Sequence, residues 1–414
     1  MAATVSRLAH PEIHLAAYGG VVFPLSLFIE APIIMILVAS TALCKDAAAY
    51  RLMRNFIVTL GGGLTLLHML LAFSPFYDVV VKSLLGAPAS IWSPAQMGLQ
   101  MMTPWTMSIA IRRFFQGMVI RAGRTRLVGL GTLIRLGVSA SVLLWGFAMQ
   151  TIPGVLVATM ALSAGVIFEA IFMFGCTRPI VRELRQRAVE PGDPLTLQRL
   201  CLFYWPLALT PLVMLATLSV GSAAISRMPR ALESLAVWPV LGGLTFIFRS
   251  VGIAIQEVVV TFSDRPDYQR PLQRFVWLVA LGASGTLFVI AATPLSTLWF
   301  ESVAALNSEL SSLAHTALWM AVILPALSPW ESYFQGKLVS RGATTLVTQA
   351  VSLYLLGSSS ILALGVFYGK FLGLYVGVAA TLTGISVQLW WLWKHSHNRQ
   401  DVPNMMGTTS LPLR

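Results

Sequence analysis

Two stretches decide how this chain is read: Phe115-Gln116-Gly117-Met118-Val119-Ile120-Arg121-Ala122-Gly123-Arg124-Thr125-Arg126-Leu127-Val128 and Phe334-Gln335-Gly336-Lys337-Leu338-Val339-Ser340-Arg341-Gly342-Ala343-Thr344-Thr345-Leu346-Val347. Seven positions are identical, each separated by 219 residues. Outward from them, Phe56 pairs with Phe275 and Gly165 with Gly384 at the same offset. Near the N-terminus, Ala3, Ser6, Arg7, Leu15 and Ala16 pair with Ala223, Ser226, Arg227, Leu235 and Ala236 at an offset of 220. One single-residue gap therefore lies between positions 17 and 56. An offset held along the chain is the mark of an internal duplication.

Composition says what was duplicated. The chain has 414 residues, 56% of them hydrophobic and 11% charged, with a mean hydropathy of +0.76. A soluble domain carries roughly 25% charged residues. Apolar runs recur that can cross a hydrocarbon core of ~30 Å. Eleven membrane-length helices are predicted, at about 15–43, 56–80, 93–118, 127–149, 153–177, 203–226, 236–262, 276–298, 313–333, 344–367 and 370–394. Two polar stretches, Lys45 to Asn55 and Arg178 to Arg199, read as interfacial loops. The second holds Arg182, Arg185, Arg187 and the turn Glu190-Pro191-Gly192-Asp193-Pro194, and it divides the chain into an N-lobe (1–190, five transmembrane helices) and a C-lobe (191–414, six).

The net charge of +12 sits mainly in alternate gaps. Those after the odd-numbered helices hold 21 Lys and Arg, counting Arg112 and Arg113 with the gap after the third; the other gaps and the N-terminus hold 5. This bias puts the first set in the cytoplasm, the C-terminus with it, and the N-terminus outside. The expected location is the cell (inner) membrane.

The fold class is thus an all-α polytopic membrane protein of two pseudo-symmetric helical bundles, with five plus six transmembrane helices. The second copy opens with a helix at 203–226 that has no counterpart before Met1. A six-plus-six parent whose first helix is missing, through evolutionary loss or a start at an internal methionine, accounts for that asymmetry and for the external N-terminus.

The paired Phe-Gln-Gly turns, the Tyr204-Trp205-Pro206-Leu207-Ala208-Leu209 opening of copy two and the Leu15-Ala16-Ala17-Tyr18-Gly19 stretch resemble the multidrug/oligosaccharidyl-lipid/polysaccharide (MOP) exporter superfamily. That group includes the MATE drug exporters and lipid-linked-sugar flippases, and the nearest likeness is to the progressive ankylosis protein. The resemblance implies two bundles around a central cavity, alternating access, and export. It leaves the substrate open, and the likeness to the progressive ankylosis protein leans towards a small organic anion.

Charges inside a bilayer helix cost at least ~2.5 kcal/mol each and need partners or a wet cavity. Four stand out as candidate substrate- or ion-binding residues: Glu30, Arg135, Glu169 and Arg249. Glu30 and Arg249 are 219 apart, so they hold equivalent depths in the two lobes. In the superfamily their helices face each other, which allows an ion pair between lobes; alternatively each is satisfied in its own lobe. Glu169 reads as a proton carrier or as the salt-bridge partner of Arg135, and Arg135 as a cavity cation or a snorkelling interfacial one. Gln116 and Gln335, with Gly117 and Gly336, read as turn and helix-packing residues. Glu257 and Glu331 read as interfacial, and His68 as packed against another helix. Prolines inside helices, among them Pro24, Pro32 and Pro325, supply bends.

Cys44, Cys176 and Cys201 show neither disulfide nor metal spacing, and no cleaved signal peptide is seen. Without a nucleotide loop or catalytic motif, neither an enzyme nor a cofactor is expected; coupling to protons or sodium is. The expected partners are membrane lipids and a small-molecule substrate, with no nucleic acid, and the expected state is a monomer. The function expected is secondary active export by alternating access, moving a small organic substrate, anionic or drug-like, out of the cytoplasm. The alternatives are a lipid-linked saccharide flippase, against which the sequence shows no cluster of cavity arginines suited to a diphosphate, and a non-transporting scaffold.

Overall fold

The computed structural model describes residues 1–186, 195–253, 255–262, 266–341 and 343–397. Arg187, the turn from Glu190 to Pro194 and Gly342 lie outside them, as does the side chain of Glu257. No strand occurs among the described residues. The long helices are α1 (Pro11–Leu43), α2 (Ala47–Phe73), α3 (Trp92–Arg121), α4 (Arg126–Met149), α5 (Gly154–Gln186), α6 (Leu197–Ile225), α7 (Ala231–Ile253, followed by Ile255–Phe262), α8 (Gln269–Ala292), α9 (Ser308–Ala321 and Leu324–Ser340), α10 (Thr344–Tyr368) and α11 (Gly373–His397). Among the described residues, nine of them and the bent pair of α9 are long and apolar enough to cross a membrane. Helix α3 has the length, 30 residues, but its arginines and glutamines lower its hydropathy.

Proline chemistry accounts for the breaks. A proline lacks an N–H and its ring clashes with the carbonyl four residues back. Pro325 puts that clash at Ala321, where the first half of α9 ends, and the two halves meet at 40°. In α1, a π-helical turn (Ala17–Val22) precedes Pro24 and a 3-10 turn (Ala31–Ile33) contains Pro32.

The structure corrects the two predicted loops. Asp46 caps α2, its carboxylate accepting from the amides of Ala48 and Ala49, both at 2.8 Å. The stretch read as an interfacial loop at 45–55 is therefore mostly the first turns of α2. Likewise α5 continues through Arg178, Arg182 and Arg185 to Gln186. Both predictions took charge for a helix end, whereas a capped helix can run past the apolar zone.

The duplication is visible in the backbone. Left-handed residues occur in twin positions: His10 and Arg230, Gly86 and Ala305, Gln150 and Gly369. The π-helical turns Asp78–Leu84 and Leu298–Val303 are twins as well. So are the crossings at Gly117 and Gly336. A Cβ on Gly117 would meet Ser40 and the Leu37 carbonyl; one on Gly336 would meet Val259 and the Gln256 carbonyl, each pair 219 residues apart.

By packing, the chain forms two compact units. The first comprises Met1–Leu241, Thr297–Ala317 and Leu362–Gly377; the second comprises Gly242–Ser296, Leu318–Ile361 and the described residues from Val378 onward.

Candidate functional site

In the first unit, α3, α4 and α5 meet around Glu169. Glycines permit the approach. Gly165, one turn before Glu169, would place a Cβ 3.0 Å from the Arg135 carbonyl, and a Cβ on Gly131 would lie 3.4 Å from Glu169 Cγ. Glu169 is fully buried. Its Oε1 accepts from Gln116 Nε2 at 2.9 Å, and its Oε2 accepts from Arg112 Nη1 at 3.0 Å. Arg135 Nε stands 3.4 Å from the same Oε2. Arg112 and Gln116 are four residues apart and so share one face of α3. Glu169 thus has a full set of partners rather than a free carboxylate.

Glu30 differs. It ends the α-helical segment before the Pro32 turn, is 4% exposed, and its Oε2 has no hydrogen-bond partner among the described residues. Arg112 and Arg113 both interact with it electrostatically. The Nε atoms of Arg112 and Arg113 also lack partners among the described residues.

The structure therefore corrects three sequence expectations. Arg112 and Arg113, which the predicted helix at 93–118 contained but the charge count gave to the cytoplasmic gap, lie well inside α3, Arg112 buried. Gln116, read as a packing residue, holds Glu169. An arginine cluster that the sequence did not reveal exists: Arg113 interacts electrostatically with Arg112 and Arg135, and with Glu30 and Glu169. Spacing along the chain cannot show which face of a helix is buried, and these arginines come from different helices.

In the second unit, Arg249 Nε donates to Ser328 Oγ at 2.9 Å. Glu331 Oε1 accepts from Gln335 at 3.1 Å and from Gln388 at 3.0 Å. Arg249, Glu331 and Tyr354 interact electrostatically. Glu331, read from the sequence as interfacial, is therefore part of a partly buried polar network. Glu30 and Arg249 each find partners in their own unit. His68 is buried, Nδ1 2.9 Å from Thr106 Oγ1, packed against a neighbouring helix as expected.

The two clusters use the same five positions. Glu30, Arg112, Gln116, Arg135 and Glu169 plus 219 give Arg249, Glu331, Gln335, Tyr354 and Gln388. The duplication kept a polar site at every position and reversed the charge at two of them. That coincidence was readable from the repeat, since both members of each pair are polar or ionisable within apolar helices.

A duplicated all-helical bundle with a polar cluster in each copy has the fold of an all-α polytopic membrane protein. No family model and no curated protein matches the sequence. Among solved structures, the chain is similar to an inward-facing multidrug-resistance MATE-family transporter of the MOP superfamily (TM-score 0.72, 13% identity, covering 95% of this chain and 93% of that one). It is similar also to an outward-facing one (0.65, 14%, 95% and 90%) and to the lipid II flippase MurJ in an inward closed conformation (0.60, 14%, 95% and 87%). At these identities the likeness is one of fold.

Proposed function

We propose that this chain is a secondary exporter that works by alternating access and moves a small organic anion out of the cytoplasm. The observation that carries the reading is Glu30, a buried carboxylate with an unpartnered oxygen, among the described residues, beside Arg112 and Arg113. The first-unit cluster holds three arginines against two carboxylates, a net charge of +1 with all ionised. Protonation of Glu30 raises that to +2, so the charge state of Glu30 sets how strongly the arginines hold an anion. Glu169 is the fixed element, locking Arg112 in place. The second-unit cluster at Arg249 and Glu331 is its counterpart in the other copy. The similarity to both inward- and outward-facing structures supports alternating access. The distribution of basic residues supports a cytoplasmic C-terminus and a location in the cell (inner) membrane.

The test is efflux from proteoliposomes of fluorescein, an organic anion, against ethidium, a cation, under an imposed proton or sodium gradient. The expected result is proton-driven fluorescein movement, lost in Glu30→Gln and Arg113→Gln. Ethidium transport that survives Arg113→Gln would overturn the anion reading. A lipid-linked saccharide flippase is the second reading. The arginine trio suits a diphosphate, and the fold is shared with the lipid II flippase MurJ.

A further inference from the structure

The C-terminal turns of α5 form a second basic site, separate from the Glu169 cluster. Helix α5 has 33 residues, ~50 Å at 1.5 Å per residue. It overshoots a hydrocarbon core of ~30 Å. Arg178, Arg182 and Arg185 lie on this overshoot at i, i+4 and i+7, hence on one face. They line a cavity of about 220 Å³ with Tyr50, Phe115 and Phe174. The aromatic wall is continuous, Phe115 and Phe174 being 5.4 Å apart, and the Arg178 guanidinium lies 5.0 Å from the centre of the Phe174 ring.

Among the described residues the charges here are uncompensated: no carboxylate lies within 4.0 Å of any of the three arginines, and the nearby acid Glu183 is paired with Arg124 at 3.6 Å. The Tyr50 hydroxyl has no hydrogen-bond partner among the described residues. The first amides of α2, beside Tyr50, are taken by Asp46, so they do not supply the site.

We propose that this cavity binds a phosphate group carried on an apolar body. Guanidinium forks match phosphate oxygens two at a time, and the aromatic wall covers the first apolar atoms attached to it. The volume is below the ~300 Å³ at which drug-sized ligands are enclosed. A headgroup is therefore held and the rest of the molecule stays outside. An anionic phospholipid and a soluble phosphate ester share this chemistry.

Thermal unfolding of the purified full chain in detergent separates the sources. The probes are short-chain phosphatidic acid, inorganic phosphate and, as a control, short-chain phosphatidylcholine. The expected result is a rise of a few degrees in the midpoint with phosphatidic acid, little with the choline lipid, and an affinity about tenfold weaker in Arg182→Gln. Stabilisation by phosphatidic acid alone assigns a phosphate on an apolar body; equal stabilisation by inorganic phosphate shows that the apolar body is not recognised and overturns that part of the proposal. Arg182→Lys keeps the charge and loses the fork, so an intermediate affinity identifies guanidinium recognition. No stabilisation by either probe, or stabilisation unchanged in both Arg182→Gln and Arg185→Gln, overturns the proposal.

Discussion

Arg7 and Arg227 are the same residue of the two copies, and each is bonded to the copy it does not belong to. Arg7 donates to the carbonyls of Ser302 and Val303, and Arg227 to those of Ser83, Leu84 and Leu85. Each also donates back to its own chain, to Ala3 and Ala223 at 2.6 Å. The acceptors lie at the C-terminal ends of the twin π-helical turns, where carbonyls lack partners within the helix and a positive charge is favoured.

Arg227→Ala is expected to cost about 1 kcal/mol, since the side chain is largely exposed. Arg7→Ala should cost a similar amount, and the double variant their sum, because the two sites share no partner. Lysine at either position should recover less than half, as one ammonium cannot reach carbonyls on two sides. Thermal unfolding of these variants checks this; a double variant no worse than either single would refute independence.

Glu169 and Arg112 form a charge pair buried on both sides. Removing one member strands the other. Glu169→Ala and Arg112→Ala are each expected to destabilise by ~3–5 kcal/mol. Glu169→Leu with Arg112→Met should lose much less than the two singles summed. The coupling read from the double-mutant cycle should exceed ~1 kcal/mol; additive losses would mean that the pair is not formed in the membrane.

Much of this was legible in the chain and some was not, for physical reasons. The repeat was readable because Gly117 and Gly336 face backbone carbonyls at close crossings, where no side chain fits. Breaks at Pro32 and Pro325 were readable because proline acts on the local backbone. Of the polar clusters only the Glu169–Arg135 pair was anticipated; Arg112 lies 57 residues from Glu169 and only helix packing brings the two together. Charge near a helix end also misled. At Arg112 it marked a buried site, and at Arg178 a helix that runs on.

The glycine crossings give a graded expectation. A Cβ on Gly117 would lie 2.5 Å from the Leu37 carbonyl oxygen and closer still to Ser40 Oγ. On Gly336 the nearest atoms are Val259 side-chain carbons at 2.8 Å. Gly117→Ala should therefore destabilise by ~2–3 kcal/mol and Gly336→Ala by ~1–2 kcal/mol. Ser40→Ala should partly rescue the first. Equal effects in unfolding experiments would count against a difference in crowding between the two crossings.

Cys44, just past the end of α1, is almost fully buried. Burial pushes its thiol up to about 12, only partly opposed by Arg121, with Asp46 adding to the rise. In the unfolded chain a thiol releases its proton near pH ~8.5. The folded state then favours the neutral form, so this stabilisation is full below pH ~8.5 and declines as pH rises from there towards 12. N-ethylmaleimide at pH ~8 should leave Cys44 unlabelled until the protein is unfolded. Rapid labelling of Cys44 in the folded protein would place it in contact with solvent.

Glu30 and Arg249 sit at equivalent positions with opposite charge, which invites the idea that they pair with one another. Their surroundings argue for separate duties. Glu30 interacts with Arg112 and Arg113, and Arg249 donates to Ser328 and interacts with Glu331. Exchanging the two charges, Glu30→Arg with Arg249→Glu, would set a third cation beside Arg112 and Arg113 and a second acid beside Glu331. Each single variant is expected to lose transport by roughly tenfold or more, the effect of about 1.4 kcal/mol, and the exchange should not restore it. Local compensation should do better: Glu30→Gln with Arg113→Gln removes one charge of each sign and should recover folding stability while transport stays lost. Proteoliposome efflux and unfolding midpoints, measured on the same preparations, decide between the two arrangements. Recovery of transport in the charge exchange would establish a direct pair.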